Sequence, residues 1–201
     1  NPGLREAQDP SVTDIVVIGN GPSVLERRVG SLIDQFLTVV RINNYVIAGY
    51  EDHVGSKEDV WTRSGNDAVF DRIDEHIPTV LWFVPLPGWE ESRQRIGPIM
   101  RRVDAAGENH VLVERRQIED LTDRYFRGRT DVRPTTGLYT IFYFLEKHQQ
   151  VHIHGFDFFE THKTQMHYFD ESVKKRMNGH DPDFERQIVQ EHIRSGRLVT
   201  I

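Results

Sequence analysis

Cysteine is absent from this 201-residue chain. Disulfide staples, thiolate nucleophiles and cysteine-ligated zinc are thereby excluded, and a reducing, cytoplasmic setting is the natural expectation. Long apolar runs are missing too. No stretch approaches the roughly 20 residues needed to span a bilayer, and nothing at the N-terminus has the layout of a secretory signal. Contact with a membrane would therefore be peripheral. Positive charge is in short supply: 25 Lys and Arg face 31 Asp and Glu, for a formal net charge of −6. A nucleic-acid backbone calls for a basic face, so nucleic acid is not an expected partner. The pairs Arg27-Arg28, Arg101-Arg102 and Arg115-Arg116 read as solvated helix faces, with a local patch for an anionic acceptor as the sharper alternative. No repeat, low-complexity tract or linker divides the chain. A single domain over 1–201 is expected, with 1–12 as a loose lead-in.

What is present is an alternation of short β-branched runs with helical stretches. Residues 13–18 place apolar side chains at consecutive positions, as a parallel strand buried on both faces does. That run enters Gly19-Asn20-Gly21-Pro22-Ser23, where Ser23 is expected to cap a helix reaching about Phe36. Strand, glycine turn and helix form the first half of a nucleotide-binding βαβ unit. A third glycine at the required spacing is missing and no acidic ribose partner is evident, which disfavours a dinucleotide enzyme. Further strands are expected at 38–42, 59–61, 79–84, 110–113, 151–154 and 197–200. Helices are expected at 66–76, 90–105, 117–126, from the Thr-Thr-Gly turn to 148, and at 182–194. Residues 49–56 read as polar connection, and 85–89 as a stiff loop with an aromatic face. The fold class is α/β: a single Rossmann-like domain whose mostly parallel central sheet is flanked by helices.

Several residues then stand out chemically. Asn20 and Asn43 fall just past the C-terminal ends of two strands, where open α/β sheets bind ligands; Asn also simply suits turns. Arg133-Pro-Thr-Thr-Gly137 opens an apolar helix. The hydroxyls of Thr135 and Thr136 and the first-turn N–H groups, Gly137 included, converge on a place suited to an anion, phosphate above all. His167 and His180 follow in short polar settings. His152 and His154 share one strand face, but no third metal ligand is evident nearby, so packing and hydrogen bonding are the reading. Asp181-Pro-Asp183 resembles a metal-binding Asp-x-Asp triplet, yet Asp before Pro is also an ordinary helix start; we read Asp181 as N-cap and Pro182 as the first helical residue. No metal site is expected.

Four pieces, in order and spacing, resemble the sialylmotifs of the animal-type sialyltransferases, glycosyltransferase family 29. Ile15-Val-Val-Ile-Gly-Asn20 through Val40-Arg-Ile-Asn43 and Val54-Gly-Ser56 is similar to the large motif. Pro134-Thr-Thr-Gly137 through Val151-His-Ile-His-Gly-Phe156 is similar to the small motif. His167-Tyr-Phe-Asp170 resembles the third motif, and His180 with Glu185 the very small one. Departures exist. The positions matching the family's inter-motif disulfide are Ile15 and His148, and the chain is shorter than the animal enzymes, without their stem. Gly-Asn-Gly-Pro-Ser and Gly-Phe-Asp-Phe-Phe are closer to the bacterial family 42, so a microbial relative is expected.

The resemblance implies a variant of the GT-A glycosyltransferase fold, a CMP-activated 2-keto sugar acid (sialic acid or Kdo) as donor, and inversion at the anomeric carbon. It assigns Gly19, Asn20, Asn43, Thr135, Thr136, Gly137, Gly155, Phe156, Asp157 and Tyr168 to the donor, with cytosine near Gly155, Phe156 and Asp157. His180 becomes the general base. His167, aided by Tyr168, stabilises the leaving phosphate, and Glu185 orients the His180 ring or ties down its loop. No cofactor beyond the donor is implied, because CMP leaves as a single phosphate that hydrogen-bond donors can hold. The acceptor would be a glycan or glycolipid. Two alternatives stay open: a non-catalytic nucleotide- or glycan-binding module, and metal-dependent transfer from UDP- or GDP-sugars through Asp181 and Asp183.

Overall fold

Val, Ile and Thr dominate the short apolar runs, and their branched side chains fit an extended, pleated backbone better than a helix. A computed structural model of the protein describes residues 14–64, 79–83, 110–158, 165–170 and 179–201. Its strands are β1 (Ile15–Ile18), β2 (Thr38–Ile42), β3 (Val60–Ser64), β4 (Thr79–Phe83), β5 (His110–Leu112), β6 (Val151–His154) and β7 (Leu198–Thr200). They form one seven-stranded sheet in the order β5-β4-β3-β2-β1-β6-β7. Every pairing is parallel, with Val17 of β1 opposite Val40 of β2 and Ile153 of β6. The helices are α1 (Gly30–Ile33), α2 (Glu51–Val54), α3 (Arg115–Tyr125), α4 (Thr136–Leu145) and α5 (Pro182–Arg194), with a 3-10 turn at Pro22–Glu26.

Alternate residues of a strand face opposite sides of its sheet, and here both sides are covered. Ile15 and Val17 join the core beneath α3, α4 and α5, with Ile118, Leu121, Leu138, Phe142 and Ile188. Val16 and Ile18 pack the other way, against Val24, Ile33, Phe36 and Val54. Helix α4 is the central buttress. Leu138, Tyr139, Thr140, Ile141, Phe142, Phe144 and Leu145 are all buried, and each large apolar side chain so buried contributes roughly 1.5–3 kcal/mol. A buried bond from Thr140 Oγ1 to Thr62 Oγ1 (2.8 Å) pins α4 to β3.

Some expected boundaries move. The helix expected from Ser23 to Phe36 is broken: after the 3-10 turn Arg27 is extended (φ −134°, ψ 141°), and α1 begins only at Gly30. Ser23 is not a cap; the turn starts at Gly21 with no side-chain bond. The break seats Gly30 against α2, where a Cβ would lie 1.9 Å from the Glu51 carbonyl oxygen. That same α2 occupies part of the stretch read as polar connection. β3 runs on to Ser64, well past the short strand expected at 59–61. α3 starts two residues early, and α4 stops at Leu145 rather than 148. The expected lead-in at 1–12, the helices at 66–76 and 90–105, the loop at 85–89 and the Arg101-Arg102 pair lie outside the described residues.

Candidate active site

The chain lays β2 to β5 outward on one side of β1, then returns to place β6 and β7 on the other. The C-terminal ends of β1 and β6 therefore flank the point where the strand order reverses, the usual ligand crevice of an open parallel sheet. The turn after β1 is bolted to the loop after β6. Gly19 N donates to His154 O (2.7 Å), Gly21 N to Gly155 O (2.9 Å) and Ser23 N to Asp157 Oδ2 (2.9 Å). A Cβ on Gly19 would lie 2.3 Å from Gly155 O, and one on Gly155, at φ +73°, 2.3 Å from Val24 Cγ1. Gly19, Gly155 and Asp157, all assigned to the donor from sequence, are thus engaged in joining two strand ends.

Asn20 joins β1 to β2. Its Nδ2 donates to Ile42 O (2.9 Å) and Asn44 O (3.4 Å), while its Oδ1 and that of Asn44 are buried without a partner among the described residues. Asn43 has left-handed backbone (φ 49°), a conformation Asn tolerates. Its Oδ1 accepts from Ser64 N (3.3 Å), so this side chain serves the end of β3. Of the doublet, Asn44 is the one beside Asn20, which sequence reasoning missed.

At the start of α4, Thr135 is the N-cap, its Oγ1 accepting from Leu138 N (3.3 Å). Its own N–H and hydroxyl both donate to Glu185, at 2.7 Å each. Thr136 and Gly137 are half-buried, and their N–H groups have no protein partner among the described residues. Free first-turn donors at the positive end of a helix are what an anion requires. A Cβ on Gly137 would meet Phe156 Cε1 at 3.1 Å and Ile42 Cδ1 at 3.7 Å. The end of β2, the loop after β6 and the start of α4 are therefore one neighbourhood, with Asn20 bonded into it.

His180 precedes α5 and is tied to the same loop. Its Nδ1 is 2.7 Å from Arg133 O, and Arg133 N donates to Gly179 O (2.9 Å). Burial holds the ring's pKa below the ordinary imidazole value; the bond to the carbonyl offsets part of this and the Arg133 charge adds to it. Among the described residues Glu185 bonds Thr135, not that ring. Burial pushes its carboxyl up to about 7 despite the two Thr135 bonds. Asp181 is the N-cap of α5, accepting from Phe184 N (3.1 Å), with Pro182 behind it. Its other oxygen accepts from Arg129 Nη1 (2.7 Å), which holds its pKa down.

His167 lies on a segment fastened to the glycine turn by Tyr168 N donating to Asn20 O (3.0 Å). Its Nδ1 is 2.9 Å from Asp170 Oδ2 and its ring stacks on Phe169, centroids 5.1 Å apart. Among the described residues no hydrogen bond engages its Nε2. Tyr168 differs from the expectation: its ring is 3% exposed, and its hydroxyl bonds both the N–H (3.1 Å) and the carbonyl of Val46. It anchors the segment, and the packing against Tyr50 (5.0 Å) points the same way. His154 is 4% exposed with Nδ1 3.1 Å from Ile201 O, and His152 packs on Phe36 (4.9 Å); burial lowers both pKa values. Among the described residues no three His, Asp or Glu side chains are grouped to hold a metal.

Fold and site together define a doubly wound α/β domain with its topological switch point between β1 and β6. The sequence profile of Glycosyltransferase family 29 (sialyltransferase) matches residues 4–82 and 88–196, and the chain belongs to that family. It is 27% identical over 208 residues to the CMP-N-acetylneuraminate-beta-galactosamide-alpha-2,3-sialyltransferase 4 of Rattus norvegicus, covering 91% of this chain and 62% of the relative. The Mus musculus protein of the same name is 28% identical over 187 residues, covering 82% and 56%. The lactosylceramide alpha-2,3-sialyltransferase of Rattus norvegicus is 24% identical over 215 residues, covering 90% and 54%. The chain thus spans about three-fifths of the length of these curated relatives or less. A crystal structure of a mammalian sialyltransferase in complex with Gal-beta-1-3GalNAc-ortho-nitrophenol shares the fold, with a TM-score of 0.74 at 19% identity over 95% of this chain and 70% of that one.

Proposed function

We propose that this chain is the catalytic domain of a metal-independent, inverting glycosyltransferase that moves a 2-keto sugar acid from its CMP-activated donor to a glycan hydroxyl. The observation that carries this is the 2.7 Å contact of His180 Nδ1 with the Arg133 carbonyl. A carbonyl only accepts, so Nδ1 holds the hydrogen and Nε2 keeps its lone pair. Burial, by lowering the ring's pKa, keeps that lone pair free at neutral pH. Nε2 takes the acceptor hydroxyl's proton as that oxygen attacks the anomeric carbon. The bond from that carbon to the phosphate oxygen breaks, and CMP departs with inversion. The N–H groups of Thr136 and Gly137 meet the departing phosphate. His167 donates to it from Nε2, with Asp170 accepting from Nδ1. Asn20 and Phe156 serve the nucleoside, and Asn43, bonded to Ser64 N, supports the strand end beside them.

A departing monophosphate carries less charge than a diphosphate, so main-chain amides and a ring N–H suffice. The cap and Arg129 bonds of Asp181 support that reading over a metal-binding triplet. The relatives are named for CMP-N-acetylneuraminate, a beta-galactosamide and lactosylceramide. Sialic acid is accordingly our donor, a galactose-bearing glycan or glycolipid our acceptor, and Kdo the alternative 2-keto acid. CMP release from CMP-sialic acid and from CMP-Kdo, in EDTA, with and without a β-galactoside, tests this. Release from CMP-sialic acid, accelerated by acceptor, is expected. A CMP-induced rise in melting temperature without turnover would mean a non-catalytic module, and activity restored only by Mn²⁺ would mean a metal-dependent enzyme.

A further inference from the structure

The segment between α3 and α4 grips α5 along its first turns. Arg129 clamps two carboxylates at once: Nε and Nη2 reach Asp131 at 3.0 and 2.5 Å, and Nη1 reaches Asp181 Oδ2 at 2.7 Å. Its guanidinium also lies over the Phe184 ring, 4.7 Å from the centroid. Phe126 packs edge-on against that ring from the end of α3 (5.0 Å). Farther along α5, Arg127 Nη2 bonds both Glu191 oxygens at 2.7 Å. Asp181 is thus held from two sides, by its own helix through Phe184 N and by Arg129. The residue immediately before it is His180.

We infer that Arg129 is a positioning residue for the transfer step, fixing through Asp181 the backbone that presents the His180 ring to Arg133 and to the acceptor hydroxyl. The inference rests on His180 being the general base. The ring has one direct tether among the described residues, the Arg133 carbonyl, and a single hydrogen bond leaves it free to pivot about that contact. A planar guanidinium bonded at two points to Asp131 and at a third to Asp181 fixes the backbone from which the ring extends and so limits that pivot, as a lysine ammonium would not. Among the described residues the charge acting on His180 is that of Arg133, and Asp181 is its neighbour in the chain. Arg129, Asp131 and Asp181 are bonded to one another, and Glu185 is bonded to Thr135. Loosening the clamp therefore acts on the ring by changing its solvation and its distance from Arg133.

The test compares Arg129→Ala with Arg127→Ala, which removes a similar ion pair from the same segment. In Arg129→Ala, kcat is expected to fall about 10- to 100-fold, with the donor KM within about twofold. The acid limb of its kcat profile, and the His180 titration followed by NMR, should move up toward the ordinary imidazole value. Arg129→Lys should recover part of both. Arg127→Ala should leave limb and titration where they are, whatever it does to melting temperature. A titration in Arg129→Ala that coincides with the wild type overturns the inference. If Arg129→Ala does not fold, Asp181→Asn, which keeps an oxygen for Phe184 N but loses the carboxylate that Arg129 holds, reads the same titration, and an unmoved His180 there is equally fatal. The base assignment fails separately: full activity in His180→Gln sinks it, while the NMR titration still reports whether Arg129 sets the ring's surroundings.

Discussion

The His180 imidazole and the Arg133 carbonyl, 47 positions apart in sequence, meet at 2.7 Å. One short contact decides which ring nitrogen carries hydrogen and which is free to take a proton, and it does so at the mouth of the helix whose first turn holds the unengaged amides.

From this contact comes the first prediction. His180→Gln should lower kcat by about 10²–10⁴, while CMP still raises the melting temperature. Because burial lowers the ring's pKa from its ordinary 6.5, the wild-type kcat should hold through that pH and fall only below it. A variant that loses CMP binding along with turnover would make His180 a phosphate ligand instead.

Glu185 should govern how stability varies with pH. Its carboxyl sits at about 7 in the folded chain against an ordinary 4.5. Below 4.5 both folded and unfolded chains are protonated there and nothing is lost. As pH rises from 4.5 to about 7, the unfolded chain ionises freely while the folded one resists, which removes on the order of 3 kcal/mol. Glu185→Gln stays neutral and keeps an acceptor for Thr135 N–H. Melting temperatures measured from pH 4.5 to 8 should therefore diverge in favour of the variant as pH rises; parallel curves would contradict the buried charge.

Gly19→Ala should destabilise the fold by on the order of 3 kcal/mol, since the new methyl group would stand 2.3 Å from Gly155 O. Chemical denaturation measures this directly. Donor KM should rise as well, because the same contact aligns the ends of β1 and β6. Retention of wild-type stability would show that the two turns can part without cost.

The third-motif residues should separate cleanly. Tyr168→Phe leaves the Val46 N–H and carbonyl without their partner and should cost about 1–2 kcal/mol, with donor KM and kcat close to wild type. His167→Ala should instead depress kcat at least tenfold with little change in melting temperature, and Asp170→Asn should fall between the two. Kinetics in which Tyr168→Phe is as damaging as His167→Ala would put the phenol back on the phosphate.

Much of this was legible in the linear chain. Consecutive β-branched residues announced buried parallel strands, because burial on both faces leaves no polar alternation. Asp181-Pro182 marked the start of α5 within its own turn, and the Thr-Thr-Gly step marked α4, since caps are built from residues three or four apart. The spaced motifs were enough to indicate the family. Only the folded chain could show the rest. Ser23 lost its role as a cap because the turn already starts at Gly21, which leaves Ser23 inside it with its N–H on Asp157 from the other side of the switch point. Tyr168 turned inward because Val46 offered both a donor and an acceptor. Arg133 and Arg129 carry no local signal of their partners, His180 and Asp181, which come from a distant stretch of the sequence. Hydrogen-bond partners brought together by a parallel sheet's crossovers have no fixed spacing in sequence. Local chemistry set the elements and their caps; the long returns of the chain chose which ring met which carbonyl.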